Sequence, residues 1–274
     1  MTIDSHQHFW KYDAKTYPWI DGTKEILKKD FLPDNLKPVL KKNDIDGCIA
    51  VQASHSIHET EFLLYLAENY DFIKGVVGWL DLRSETIEDD LKNLSKNPHL
   101  KGIRHIVQAE AKDFMLCPDF QFGISKLHQF GLTYDILIDH TQLEEAIQMV
   151  EQFPEQKFVL DHIAKPEISK GIDEKWRTNI ENLAKNPNVY CKISGMVTET
   201  KNNDWKHANF NPFIETVVSA FGYDRIMYGS DWPVSLLACS YKEQFTILEN
   251  YSSNFSAENR AKLMGLNAVK FYNL

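Results

Sequence analysis

Eight short apolar runs recur along this chain, each followed by a longer amphipathic stretch, and that alternation narrows the folds open to it. The runs are Ile3–His8, Gly47–Gln52, Lys74–Leu80, Gly102–Val107, Leu132–Ile138, Lys157–His162, Val189–Ser194 and Arg225–Gly229. They begin roughly 20 to 45 residues apart, the length of a strand–helix unit. Between them, stretches such as Glu59–Asn69 and Gln142–Gln152 carry apolar residues at helical spacing, the pattern of a helix with one buried face. Strands this rich in valine and isoleucine, separated by helices, belong to a parallel sheet covered on both sides. Eight such units close a barrel. The rival, an open doubly wound sheet, places a glycine-rich turn after its first strand; here the first run ends in His8-Phe9-Trp10. The sequence therefore predicts an α/β protein, a TIM-like (β/α)8 barrel over residues 1–274.

Charge and composition remove several function classes. The formal net charge is -9 and no basic stripe appears, so neither nucleic acid nor an anionic membrane surface is an expected partner. No apolar run approaches the roughly 18 residues of a membrane span, and no leader pattern opens the chain, which points to a cytoplasmic protein. Cys48, Cys117, Cys191 and Cys239 are scattered without a Cys-x-x-Cys pair, so no disulfide framework or zinc knuckle is implied. Cys48 and Cys191 lie in apolar runs and read as small core residues.

In such a barrel, chemistry gathers at the C-terminal ends of the strands. His6 and His8 are two residues apart on the first strand and project to one face. Such a pair makes half of a metal site, or two proton-handling groups. The other strand ends contribute Gln52, Trp79, Arg104 with His105, Tyr134 with Asp135, Asp161 with His162, Lys192, and Asp231 with Trp232. Polar groups ending apolar strands converge, because unpaired burial costs roughly a few kcal/mol each.

Three of these motifs occur together and in order: His6-x-His8, Asp161-His162-x-x-Lys165-Pro166 and Gly229-Ser230-Asp231-Trp232-Pro233. With the closing Gly265-Leu266-Asn267-Ala268 and Phe271-Tyr272, the whole chain resembles the amidohydrolase superfamily, in its branch of sugar-lactone hydrolases. The resemblance implies hydrolysis of an aldonolactone, such as L-fuconolactone or L-rhamnonolactone, to the open-chain acid. It implies His6, His8, His162 and Asp231 as ligands of a single divalent ion such as zinc, with Asp231 receiving the proton of the attacking water. The chain departs from two-metal members, which carry a carboxylated lysine or a glutamate on the fourth strand and a histidine on the fifth. Here those positions offer Arg104 with His105 and Tyr134 with Asp135, while His140 falls at a helix entry. At most one metal is therefore expected, and metal-independent catalysis stays open: the three histidines would then polarise the carbonyl and position water.

Alongside His162 and Asp231, Arg104 is the third catalytic candidate, because a guanidinium holds oxygen pairs in a fork; this requires Arg104 rather than His105 to face inward. Gln52, Trp79, Asp135, Lys192 and Trp232 are candidate contacts for the hydroxyls or ring of a small-molecule sugar lactone. The Trp10–Phe31 segment is long for a first strand-to-helix loop and suggests a lid. His55 and His58 read as exposed loop histidines, with one of them in reach of the pocket. The sequence admits a homo-oligomer. Two other functions compete: a metal-dependent, non-oxidative decarboxylase of an aromatic or enoic acid on the same barrel, and a silent barrel that binds a sugar acid. A missing fifth-strand histidine weighs against the first, and the intact His6, His8, His162 and Asp231 set against the second.

Overall fold

The computed structural model describes residues 1–274. Its strands are β1 (Ile3–Gln7), β2 (Gly47–Val51), β3 (Ile73–Gly78), β4 (Leu100–Ile106), β5 (Thr133–Leu137), β6 (Phe158–Leu160), β7 (Val189–Ile193) and β8 (Ile226–Tyr228). All neighbouring strands pair in parallel and in chain order. The ring closes at its C-terminal end, where the His8 N–H donates to the Trp232 carbonyl (2.7 Å) and the Asp231 N–H to that of His6 (2.8 Å). Every residue of β1, β2, β5, β6 and β8 is buried, as a parallel sheet under a helical shell requires. The shell consists of α1 (Pro33–Lys42), α2 (Ile57–Asn69), α3 (Ile87–Leu94), α4 (Pro118–Leu127), α5 (Leu143–Gln152), α6 (Glu174–Ala184), α7 (Asn211–Phe221) and α8 (Tyr241–Tyr251). Side-chain caps start several of them: Ser56 accepts from the Glu59 N–H, Asp173 from Lys175, and Ser240 from Glu243.

Each expected run yields a strand, but β6 and β8 are only three residues long. The reason is local. His162, Ile163, Ala164 and Lys165 all adopt left-handed backbone (φ 53, 49, 59 and 47), as does Asp231 (φ 54). Each such non-glycine residue costs roughly 1–2 kcal/mol, so the surrounding packing must hold them there. Five strained residues, all beside the ends of β6 and β8, mark those ends as specialised.

The opposite end of the barrel is sealed. After α8 the chain forms α9 (Ala257–Ala261), a π-helical turn and α10 (Asn267–Tyr272), which folds beneath the strands. Ala268 and Phe271 pack against Ile3, Ile49, Val77, Val159 and Met227. Asn267 donates to the carbonyls of Tyr223 (2.8 Å) and Ile226 (2.7 Å), which fixes the turn beneath β8. Tyr272 reaches up into the barrel and donates its hydroxyl to Asp135 (2.7 Å).

The Trp10–Phe31 segment is a pinned wall rather than a hinged lid. Trp10 and Phe31 exchange both backbone hydrogen bonds at 2.9 Å. The Tyr17 hydroxyl donates to Glu59 (2.9 Å) and the Trp19 indole to the Ala53 carbonyl (2.9 Å). Burial pushes the Glu59 carboxyl up to about 7. Cys48, Cys191 and Cys239 are buried and all four cysteines are free. No helix is long and apolar enough to cross a membrane.

Candidate active site

A cavity of about 840 Å³ opens at the C-terminal end of the strands, within the roughly 300–1,000 Å³ of small-molecule sites. At its base Asp231 faces three imidazoles. Its Oδ1 lies 3.3 Å from His8 Nε2, 3.8 Å from His162 Nε2 and 3.9 Å from His6 Nε2. The outer nitrogens of two rings are tied: His8 Nδ1 donates to the Val51 carbonyl (2.7 Å), and His162 Nδ1 pairs with the Ser194 hydroxyl (2.9 Å). A carbonyl only accepts, so the His8 proton sits on Nδ1 and its Nε2 lone pair faces the Asp231 carboxylate. Two acceptors 3.3 Å apart need a proton or a cation between them.

Glycine makes this packing accessible. Gly195 follows Ser194 with φ +65, and a Cβ there would meet His162 Nδ1 at 2.5 Å. Gly229 is as constrained, since its Cβ would lie 2.7 Å from that of His6.

Beneath the cavity runs a buried ionic network. Arg104 Nη1 lies 3.0 Å from Asp161 Oδ2 and 3.2 Å from His6 Nε2. Guanidinium nitrogens have no acceptor capacity, so His6 Nε2 is the acceptor there, while its Nδ1 lies 3.2 Å from Asp161 Oδ1 and 3.3 Å from Lys192 Nζ. Lys192 bridges Asp135 (2.5 Å) and Asp161 (3.0 Å) from a fully buried position. Burial opposes the charge on Asp161, but His6, Lys192 and Arg104 outweigh it and hold that carboxyl well below its usual range. The same contest at Asp231 ends the same way: burial raises it, and His162, His8 and His6 together bring it below the usual range. Burial drives His162 down to about 4 and His6 well below its usual value. His6 and His162 thus rest neutral beside the ionised Asp161 and Asp231.

The strand-end residues separate into two layers. His8, Arg104, His162 and Asp231 line the cavity, and His6 stands directly behind them. Arg104 faces the cavity, whereas His105 turns toward Glu110, 2.8 Å away. Gln52, Trp79, Asp135, Lys192 and Trp232, expected as substrate contacts, do not line it. Gln52 grips Arg104 through its side-chain oxygen (2.8 Å) and its backbone carbonyl. Asp135 and Lys192 neutralise each other in the network below. The Trp79 indole donates to His105 (3.2 Å), and Trp232 packs edge-on against Phe9 and Phe31. His140 lies apart, with Nδ1 3.2 Å from the Lys165 carbonyl, and the His58 side chain is 90% exposed beside Glu61.

Sequence reasoning gave no role to three residues that the structure makes prominent. Asp161 anchors both buried cations, Ser194 orients His162, and Glu199 lines the cavity 3.8 Å from Lys165. Burial raises the Glu199 carboxyl. Asp161 was visible beside His162 in its motif; Glu199 ends a short 3-10 helix after β7 that carries no sequence signal.

The amidohydrolase family pattern matches residues 3–274, the length of the barrel. The chain belongs to the amidohydrolase family. Among curated relatives, the L-fucono-1,5-lactonase of Burkholderia multivorans is 37% identical over 289 residues, covering 100% of this chain and 96% of the relative. The L-fucono-1,5-lactonase of Burkholderia ambifaria is 32% identical over 277 residues, covering 99% and 95%. A crystal structure of a Burkholderia multivorans amidohydrolase with bound zinc superposes with a TM-score of 0.94 at 37% identity, covering 100% of this chain and 99% of that one.

The donor set of this amidohydrolase fits one divalent ion. His8, His162 and Asp231 converge with oriented nitrogen and oxygen donors, the tied outer nitrogens being the usual support for metal histidines. Arg104 and Lys192 are paired with Asp161 and Asp135, which leaves the ionised Asp231 with imidazoles alone about it. At the β4 and β5 positions a second ion finds no free donor, since β4 presents Arg104 and Asp135 on β5 is bound to Lys192 and Tyr272.

Proposed function

We propose that this amidohydrolase opens a sugar-derived lactone to its hydroxy acid, with water attacking the carbonyl and Asp231 taking its proton. The reading is carried by one observation: an ionised carboxylate and the His8 Nε2 lone pair lie 3.3 Å apart at the base of a cavity, a place built to hold a proton or a cation. Arg104, fixed by Gln52 and Asp161, is the donor beside them for the oxygen that gains charge as the tetrahedral intermediate forms. Asp231 stays ionised across the neutral range, so its turnover depends on polarisation of the carbonyl by these neighbours rather than on its own basicity. The relatives acting on L-fucono-1,5-lactone support a six-carbon deoxy-sugar lactone as substrate.

We further infer that His8, His162 and Asp231, together with His6, whose ligand atom lies within 4.8 Å of those of His8 and Asp231, hold one divalent ion, zinc by its N/O donors and by the zinc-bound relative. When bound, the ion supplies Lewis acidity to the carbonyl and the attacking water. His6 joins this set only by releasing Arg104.

The test is a panel of 1,4- and 1,5-aldonolactones followed with a pH indicator, since each ring opened at neutral pH releases one proton. Acidification is expected to be fastest with the L-fuconolactone type. Flat traces across the panel would overturn the proposal.

A further inference from the structure

A second cluster borders the same cavity. His55, His105 and Glu110 bring their polar atoms within 4.8 Å of one another, and His55 lines the cavity beside Arg104, Ile106 and Gln108. By residue type this is another candidate metal site; hydrogen bonding argues against it. The Ile106 backbone N–H donates to His55 Nε2 (2.9 Å), and the Trp79 indole N–H donates to His105 Nδ1 (3.2 Å). A backbone amide and an indole are donors only, so these two ring nitrogens are acceptors and the opposite nitrogens carry the protons. The His105 Nε2–H is spent on Glu110 at 2.8 Å. Neither ring keeps a lone pair for a metal.

What remains is one donor. The Nδ1–H of His55 has no partner in the protein, while its ring is held by the Ile106 amide, tilted against His105 (centroids 3.9 Å apart, planes 32° apart) and stacked with Trp79 (5.6 Å, planes 16° apart). Partial burial and the neighbouring His105 ring lower His55, and burial lowers His105.

We propose that His55 is a substrate-binding residue that presents Nδ1–H as a fixed, neutral donor to a hydroxyl or ring oxygen of the lactone. The inference rests on the lactone reading above. His55 follows β2 and leans on the end of β4, whereas Asp231, His8 and His162 follow β8, β1 and β6, so it reads a part of the sugar other than the reacting carbonyl. Trp79, His105 and Glu110 act through it as positioning residues.

His55→Phe keeps the stacked ring and deletes the donor; His55→Gln restores a side-chain N–H. The loss is expected in KM rather than kcat, about tenfold for His55→Phe, with partial recovery in His55→Gln. Against lactones each lacking one hydroxyl, one analogue should bind the wild type and His55→Phe equally, because the contact is already gone. Histidine-selective nitrogen NMR provides a readout independent of activity and of the variants: His55 should appear as the Nδ1–H tautomer and stay so when zinc is added. An unchanged KM in His55→Phe, or an Nε2–H tautomer in the spectrum, would overturn the proposal. If the wild type opens no lactone, the substrate reading falls with it, and the spectrum then decides whether the fixed donor stands.

Discussion

His8 and His55 both carry their proton on Nδ1, yet they meet one cavity with opposite chemistry. At His8 the Val51 carbonyl takes the Nδ1–H, which leaves the Nε2 lone pair toward Asp231. At His55 the Ile106 amide takes the Nε2 lone pair, which leaves Nδ1–H unpaired. Two backbone groups, one accepting and one donating, thus divide two similar His–carboxylate clusters into a site for a proton or cation and a site for a hydroxyl. Residue type alone does not assign a histidine its role; the partner on its far nitrogen does.

The largest effect that separates the clusters is on turnover. Asp231→Asn should lower kcat by about 10²-fold or more while the unfolding midpoint stays near that of the wild type; equal turnover would remove Asp231 from the chemistry. Zinc binding should divide them next. Calorimetry is expected to find at most one ion per chain, weakened about 10²-fold by His8→Ala and unaffected by His55→Phe. A ratio near two would return metal-binding status to the His105 cluster. Arg104→Lys keeps the charge but loses the fork that spans Gln52, Asp161 and His6; kcat/KM should fall about thirtyfold.

Smaller effects test the frame beneath both clusters. Tyr272→Phe removes one hydrogen bond to Asp135 and should lower stability in urea by about 1 kcal/mol with kcat nearly intact. Glu59, which pins the β1–α1 loop, titrates near neutrality. Its carboxyl is raised from 4.5 to about 7 by burial. The fold therefore favours the protonated form, and this stabilisation is complete below 4.5 and lost as pH rises through 7. Between pH 5 and 8 the melting temperature of the wild type should fall more than that of Glu59→Gln.

These comparisons also show what was legible in the chain. The barrel was, because buried parallel strands are nearly continuous apolar runs such as Gly47–Val51 and Val189–Ile193. The early ends of β6 and β8 were not, since left-handed backbone at Ile163 and Asp231 runs against residue preference and is imposed by packing. His6, His8, His162 and Asp231 stood out because few residue types perform this chemistry and each falls at a strand end. Gln52, Asp135 and Lys192 stand at strand ends too, yet they face the ionic network instead of the cavity. A buried charge that neutralises its neighbour and one that meets a ligand look alike in sequence. The donor role of His55 depends on a backbone N–H from another strand, a contact no local pattern encodes.

The central claim is that water held at Asp231 attacks the carbonyl of the lactone. Hydrolysis in water enriched in heavy oxygen, with the product weighed by mass spectrometry, tests it most directly. The account predicts one labelled oxygen per turnover, located in the carboxylate, with the enzyme-dependent part of the signal lost in Asp231→Asn. Label in the hydroxyl released by ring opening, or undiminished labelling in that variant, would contradict it.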